Sequence, residues 1–190
     1  LEVAVVTTTQ IYHEFASGIA DPAAIRDFVK MLYDRGKSPD SKPLKYLLLF
    51  GDASYDYLNR ISQNTNFVPC YESAESFDPL SSYTSDDFYG LLDDGDNAST
   101  NMPYLLDIGI GRIPAKTTEE ARAVVDKIFR YHQPESFGSW RNEITLIADD
   151  EDQNLHLYDA EFHSNVIVSK LGKIPSKIYL DAFQIGRAHV

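Results

Sequence analysis

Cysteine is nearly absent from this sequence. Cys70 is the single cysteine among 190 residues, which excludes an internal disulfide framework and any site built from paired cysteines. It follows a short apolar run, precedes a loop rich in Ser and Glu, and has no histidine beside it in sequence. We therefore interpret Cys70 as a structural residue and not as a nucleophile.

Clusters of positive charge and long apolar runs are also missing. No run of more than two Lys or Arg residues occurs, and the formal net charge is −12. This balance argues against nucleic acid and anionic membrane surfaces as partners. No stretch of about 18 apolar residues is present, so no membrane span is predicted. Because the first residue is Leu and no signal-peptide pattern follows, we expect a piece of a longer protein.

Hydrophobic residues make up 43% of the chain, enough for a substantial core. Short apolar runs predict strands at residues 3–6, 46–50, 105–113, 144–148 and 177–180. Apolar positions at helical spacing predict helices at residues 22–35, 117–132 and 154–171. This alternation predicts an α/β fold with a parallel-rich sheet flanked by helices.

Local signals support several of these elements. Asp21 is placed to cap the first predicted helix, and Pro22 suits its first position. Residues 46–50 form a continuous apolar run, typical of a strand buried on both faces. Thr117 and Glu120 have the spacing of a capping box. The helix that they open is predicted to bury Ala121, Val124, Val125, Ile128 and Phe129.

Residues 134–138 have the composition of a domain boundary. We predict an N-terminal α/β subdomain at residues 1–136 and the start of a second, truncated subdomain at residues 137–190. An incomplete sheet exposes an edge, so the chain could also associate through it.

Residues 53–103 are irregular in pattern, and residues 91–97 predict a hairpin turn with Asp94 and Gly95 at its tip. Calcium could bind this acidic turn, but the twelve-residue calcium loop with its closing Glu is not present. A plain turn is the favoured interpretation.

An acidic segment follows the strand predicted at residues 144–148, with Asp149, Asp150, Glu151 and Asp152 in succession. Catalytic and binding groups of α/β sheets gather at the carboxyl ends of strands. Four adjacent carboxylates there would suit a metal, a protonated imidazole or a basic substrate. The alternative is a solvated turn in which Asp152 caps the next helix.

The helix after the acidic segment places His156, Asp159 and His163 on one stripe. Two imidazoles and a carboxylate could bind zinc. The stripe also borders the apolar face of that helix, where histidines usually have a packing role, and this second interpretation is favoured.

Short motifs along the chain resemble the gingipain family of cysteine peptidases. They are LFGD at residues 49–52, SDDFYG at 85–90, IGRIP at 110–114, HSNVI at 163–167 and DAF at 181–183. The longer forms FGDASYD at residues 50–56 and DDFYG at 86–90 are most similar to the sortase branch of the family.

This resemblance implies a caspase-like or gingipain-like fold and a cysteine endopeptidase that acts on protein or peptide substrates. The branch removes sorting domains from cargo of the type IX secretion system in Bacteroidetes, so a secreted or outer-membrane-surface location is expected. No cofactor is implied, apart from the calcium alternative. The family's nucleophile and its His-Gly base would lie beyond residue 190, and residues 185–190 do not match the family.

One site residue of the family carries over to this chain. Gingipains place a carboxylate behind the catalytic histidine, in the loop that matches the acidic segment. By this match Glu151 is the first candidate and Asp150 the second. A carboxylate there would fix the imidazole tautomer and stabilise the imidazolium. We expect the site to form if the strands at 144–148 and 177–180 are neighbours.

Two other functions are compatible with the sequence. One is a non-catalytic protein-binding module that retains the peptidase fold. The other is a metal-dependent phosphohydrolase that uses Asp52 or Asp149 at a strand end. The second is disfavoured because no Lys or Arg lies near either acid in sequence.

Overall fold

The computed structural model describes residues 2–73, 82–96, 105–149 and 151–182. It has the predicted mixed α/β architecture, with short parallel strand pairs and flanking helices. Its contacts divide the chain into two compact units, residues 1–126 and 127–190. The subdomain boundary near residue 136 stays a prediction. No helix in the described ranges has the length and apolar character needed to cross a membrane.

The first unit contains two helices and two strand pairs. Its elements are α1 (Thr8–Phe15), α2 (Pro22–Gly36), β1 (Tyr46–Phe50), β2 (Tyr71–Glu72), β3 (Thr84–Ser85) and β4 (Gly109–Ile113). Strands β1 and β4 are parallel, from Tyr46 opposite Gly109 to Phe50 opposite Ile113. Strands β2 and β3 form a short antiparallel pair. Helix α3 (Thr118–Tyr131) follows β4 and contains the division between the units.

Helix α2 begins where the Asp21 cap and Pro22 predicted. The Asp21 carboxylate accepts a hydrogen bond from the Ala23 N–H at 2.8 Å, and Pro22 occupies the first helical position. This cap satisfies a backbone donor that the helix itself cannot pair. Ile25 and Val29 lie in the core of the unit.

The strand predicted at residues 3–6 is wrong. These residues form no strand, and Val5 is 91% exposed. Valine favours strands only where a neighbouring surface packs against it. A reciprocal cap between Thr7 and Gln10 instead begins α1 directly after the run.

The core of the first unit lies between its helices, β1 and the loops that follow. Its buried members are Ile11, Tyr12, Ala24, Ile25, Val29, Leu49, Val68, Tyr89, Leu92 and Ile108. Only Leu49 of β1 is buried, whereas Leu48 and Phe50 are about half exposed. The prediction that β1 is buried on both faces is therefore wrong, because alternate side chains of a strand point to opposite faces and one face is packed.

The strand predicted at residues 105–113 is shorter than expected. Residues 105–108 remain outside β4 because Asp107 is bonded to the preceding loop. The Asp107 N–H donates to the Gly90 carbonyl at 2.9 Å, and its carboxylate accepts from the N–H groups of Leu92 and Asp93.

Helix α3 forms as predicted, but its apolar face is not buried. None of its residues is buried, and Phe129 is 66% exposed. The pattern specifies an amphipathic helix, whereas burial also needs a second element over that face. The capping box is half formed: Thr117 accepts from the Glu120 N–H, while the Glu120 carboxylate accepts from the Lys116 N–H.

The second unit contains β5 (Glu143–Ala148), α4 (Glu151–Val166) and β6 (Ile174–Tyr179). The two strands are parallel, from Glu143 opposite Ile174 to Ala148 opposite Tyr179. Both strands and the helix were predicted, and β6 begins three residues earlier than expected. A π-helical turn at Ile167–Leu171 follows α4, and Gly172 with a φ of +60° ends it.

Candidate functional site

The candidate site lies at the carboxyl end of the β5–β6 pair. Because the two strands are parallel, the residues that follow both of them emerge at one edge.

 Ala148 lies opposite Tyr179, so Asp149 and Leu180 are the first residues beyond the paired strands. The condition stated for the site, that these two strands are neighbours, is therefore met.

A groove of about 390 Å³ lies at this edge. It is lined by residues of β5, of one side of α4 and of the turn after β6. They are Leu146, Ile147, Ala148, Asp149, His156, Asp159, Ala160, His163 and Leu180. The polar stripe that the sequence places on α4 therefore faces the strand end that carries the acidic segment.

Asp149 has an unusual environment in this groove. Its Oδ1 atom is buried and has no hydrogen-bond partner among the residues that the structure describes. A buried acceptor that lacks a donor costs about 1–3 kcal/mol. The Oδ1 atom of Asp149 can therefore accept a hydrogen bond from a group that enters the groove.

The imidazoles in the groove do not form a metal site. In the described part of the chain, no three His, Cys, Asp or Glu side chains are grouped so that they could hold a metal ion. The Nε2 atom of His156 lies 3.5 Å from a carboxylate oxygen of Asp152, and the His163 ring packs edge-on against Phe162. The zinc interpretation of His156, Asp159 and His163 therefore gains no support.

The acidic segment continues into a left-handed turn. Asp152, Gln153 and Asn154 have φ values of +52°, +60° and +64°, a region that residues with a Cβ atom enter at a cost. Asp152 lacks the extended backbone of a helix cap, so its predicted capping role is wrong. Glu151 is the first residue of α4, and Asp150 lies outside the described residues.

The first unit has its own cavity at the carboxyl ends of β1 and β4, with a volume of about 550 Å³. Arg112 is one of the residues that line this cavity. The guanidinium of Arg112 binds both carboxylate oxygens of Asp86 at 2.7 Å. Its other N–H groups donate to main-chain carbonyls, those of Gly51, Val68 and Pro69. All five donors of the arginine are thus used within the protein.

Asp52 lies in the same cavity and has two partners. Its Oδ2 atom accepts from the Thr65 hydroxyl at 2.5 Å and lies 3.8 Å from Nζ of Lys116. No Lys or Arg lies near Asp52 in sequence, but the turn after β4 brings Lys116 to the end of β1 in the folded chain. The argument that Asp52 has no basic neighbour is therefore wrong. The carboxylate is engaged within the protein, as the guanidinium is.

Cys70 also lines this cavity and is buried. Burial raises the pKa of its thiol, the nearby Glu72 carboxylate raises it further, and Arg112 acts in the opposite direction. A raised pKa reduces the fraction of reactive thiolate. The environment of Cys70 therefore favours the structural role inferred from the sequence.

A turn is present at Asp94 and Gly95, but residues 91–96 form no strand, and residue 97 of the predicted hairpin lies outside the described residues. The Asp96 N–H donates to the Asp93 carbonyl at 3.2 Å, and Gly95 has a φ of +102°. Asp94 forms an ion pair with Lys30 at 2.9 Å. Pairing with lysine favours the plain turn over the calcium interpretation.

The sequence model of peptidase family C25 matches residues 1–189. This chain belongs to peptidase family C25. Among solved structures, it is similar to dimeric latent PorU from Porphyromonas gingivalis, with 35% sequence identity and a TM-score of 0.58. The match covers 74% of this chain and 14% of that chain, so the present sequence corresponds to a small part of its relative. No curated protein matches the sequence.

Membership in family C25 confirms the resemblance to gingipains and the caspase-like fold class. The sequence identified the acidic segment and the stripe on α4, which the structure brings to one groove. From the sequence, Asp149 is singled out only in the phosphohydrolase alternative, because the burial of a single oxygen atom has no sequence signal.

Proposed function

We propose that this chain is part of a gingipain-like cysteine endopeptidase whose nucleophilic cysteine and catalytic histidine come from sequence beyond residue 190. The observation that supports this proposal most is the parallel register of β5 and β6 in a chain of family C25. It brings the acidic segment to the same edge as the residues that follow β6. A histidine presented soon after β6 would meet a carboxylate there.

The chemistry of such an enzyme explains the need for the carboxylate. The imidazole removes the thiol proton and later returns it to the leaving amine. A carboxylate bonded to the far ring nitrogen fixes the tautomer and stabilises the imidazolium. Glu151 is our first candidate for this role and Asp150 the second. We add Asp149 as a third, because its buried Oδ1 atom needs a donor.

Within the family, we propose the sortase role, in which a sorting domain is removed from proteins exported by the type IX secretion system of Bacteroidetes. The substrates would then be proteins, and the site of action would be the cell surface or the secreted fraction. The support is the FGDASYD and DDFYG motifs together with 35% identity to PorU. Association through the edge of the β5–β6 pair remains part of this proposal.

The test is a series of single alanine replacements in the full-length protein at Asp149, Asp150 and Glu151. We expect replacement of the orienting residue to lower kcat by a factor of about 10²–10⁴. A residual rate should remain, because the thiol and the oxyanion donors are still present. Turnover of a peptide that spans a sorting-domain junction is the measurement. A melting curve for each variant separates catalysis from folding.

Asp152→Ala is the matched control, since this carboxylate faces His156 at the exposed side of the turn. It should retain kcat. Full activity in all three variants would show that the acidic segment is only a turn. Absence of turnover and of labelling by a substrate-like thiol inhibitor in the unchanged protein would instead favour the non-catalytic binding module.

A further inference from the structure

Glu161 joins helix α4 to strand β6. Its two carboxylate oxygens accept hydrogen bonds from Nζ of Lys177 at 2.9 and 2.8 Å. The hydroxyl of Tyr179 donates to the same carboxylate at 2.6 Å. Lys177 and Tyr179 are two residues apart on β6, so their side chains leave the same face of the strand. One helix residue is therefore bonded to two points near the end of the strand.

This arrangement is more than an isolated surface ion pair. A single exposed pair has little effect on stability because water competes for both charges. Here two donors from β6 bind one carboxylate of α4. These bonds fix the orientation of the helix relative to the strand and the distance between the two elements. The hydrogen bonds from Lys177 and Tyr179 hold the pKa of Glu161 below its usual range. Hydrogen bonding to Glu161 raises the pKa of Lys177 and of Tyr179.

The position of the network relates it to the candidate site. Tyr179 is the last residue of β6 and lies opposite Ala148, the residue before Asp149. Leu180, which follows Tyr179, lines the groove. On the helix, Ala160 lines the groove and its neighbour Glu161 bonds to β6. The network therefore lies directly beside the groove and at the point where the chain leaves the strand.

We infer that Glu161 is a positioning residue for the peptidase site, an inference that depends on the proposed function. By fixing α4 against the end of β6, it sets the distance between the carboxylates that follow β5 and the catalytic histidine that we propose for the sequence beyond residue 190. Glu161 does not touch the reacting atoms. Its effect on the reaction is exerted through the placement of the imidazole.

The experiment compares Glu161→Ala, Tyr179→Phe, the single charge reversals Glu161→Lys and Lys177→Glu, and the exchanged pair that combines these two reversals, all in the full-length protein. Glu143→Gln is the control, because Glu143 is exposed and lies at the start of β5, at the opposite end of the strand pair from the groove. A displaced imidazole lowers the rate of reaction more than it weakens substrate binding. For Glu161→Ala we expect kcat to fall about tenfold with KM unchanged.

Tyr179→Phe removes one hydroxyl and should lower kcat in the same direction by a smaller factor, with little effect on folding. The exchanged pair should recover part of the kcat that each single charge reversal loses. Unchanged kcat in Glu161→Ala and Tyr179→Phe would overturn the inference while leaving the proposed function intact. A loss of kcat would also overturn the inference if the melting curve shows that unfolding explains the whole loss. Absence of activity in the unchanged protein would overturn both.

Discussion

The two parallel strand pairs of this protein end in chemically different ways. At the carboxyl ends of β1 and β4, Arg112 uses all of its donors on Asp86 and on three carbonyls, and Asp52 is bonded to Thr65. Beyond β5 and β6, Asp149 has a buried oxygen atom without a partner in the described part of the chain. The same position in an α/β fold thus holds fully bonded charged groups in one unit and a carboxylate oxygen without a described partner in the other.

This difference shows why a cavity alone does not identify a site. The larger cavity, about 550 Å³, belongs to the first unit, where Arg112, Asp86 and Asp52 have partners. The smaller groove, about 390 Å³, contains the Asp149 carboxylate, whose buried Oδ1 atom has no partner among the described residues. The unsatisfied oxygen atom of Asp149 is one reason why we propose the smaller groove as the site, because each buried group without a partner requires an explanation.

Removal of the Arg112 guanidinium should have the largest effect on the first unit. In Arg112→Met, the Asp86 carboxylate and the carbonyls would lose their donors, and we expect the free energy of unfolding to fall by about 3–5 kcal/mol. Lys116→Met is the control: this lysine is 58% exposed and 3.8 Å from Asp52, so at most about 1 kcal/mol is expected. Urea unfolding curves measure both, and equal losses would contradict the structural role of Arg112.

A smaller effect is expected at Tyr89, whose buried hydroxyl donates to the Pro69 carbonyl. Tyr89→Phe keeps the ring in the core but removes this donor, at a cost of about 1 kcal/mol. Tyr55→Phe provides the control, because Tyr55 belongs to the same unit and is 70% exposed. Thermal melting would measure the difference. If both variants melt at the same temperature, the hydroxyl of Tyr89 has no structural role.

Glu72 is an exception within the first unit, since its buried Oε1 atom has no partner among the described residues. Burial raises the pKa of Glu72 in the folded state. The folded protein therefore binds this proton more tightly than the unfolded chain does, and the resulting stability is lost as the pH rises through the raised pKa.

Glu72→Gln should consequently be slightly more stable than the unchanged protein at neutral pH. The difference should vanish below about pH 4, where both folded and unfolded carboxyls are protonated. Melting temperatures from pH 3 to 8 provide the measurement. A variant that is less stable at neutral pH would indicate that Glu72 has a favourable partner.

The smallest effect on stability is expected at Asp149. Asn keeps an acceptor oxygen where Oδ1 of Asp149 lacks a donor among the described residues, so the cost of that acceptor remains and Asp149→Asn should change the free energy of unfolding by less than about 0.5 kcal/mol. Asp86→Asn, which weakens the bidentate pair with Arg112, is the comparison in the first unit. A larger loss of stability for Asp149→Asn than for Asp86→Asn, measured by urea unfolding, would reverse the contrast between the units.

Local chemistry determined much of the fold. The Asp21 cap and Pro22 specify the start of α2, and the apolar runs at β1 and β5 specify strands, because these signals act within a few residues of the chain. The strand predicted at residues 3–6 failed for the opposite reason: a strand needs a partner, and no local signal says whether one is present. The missed helix α1 did have a signal, the Thr7–Gln10 capping box.

For the candidate site, the sequence by itself determined the family, the acidic segment and the stripe of His156, Asp159 and His163. Only the tertiary structure decided which of these groups meet. The register of β5 and β6 places Asp149 beside the groove, and the turn after β4 brings Lys116 to Asp52. Whether a carboxylate is paired depends on donors that are distant in sequence, so the packed fold alone determines it.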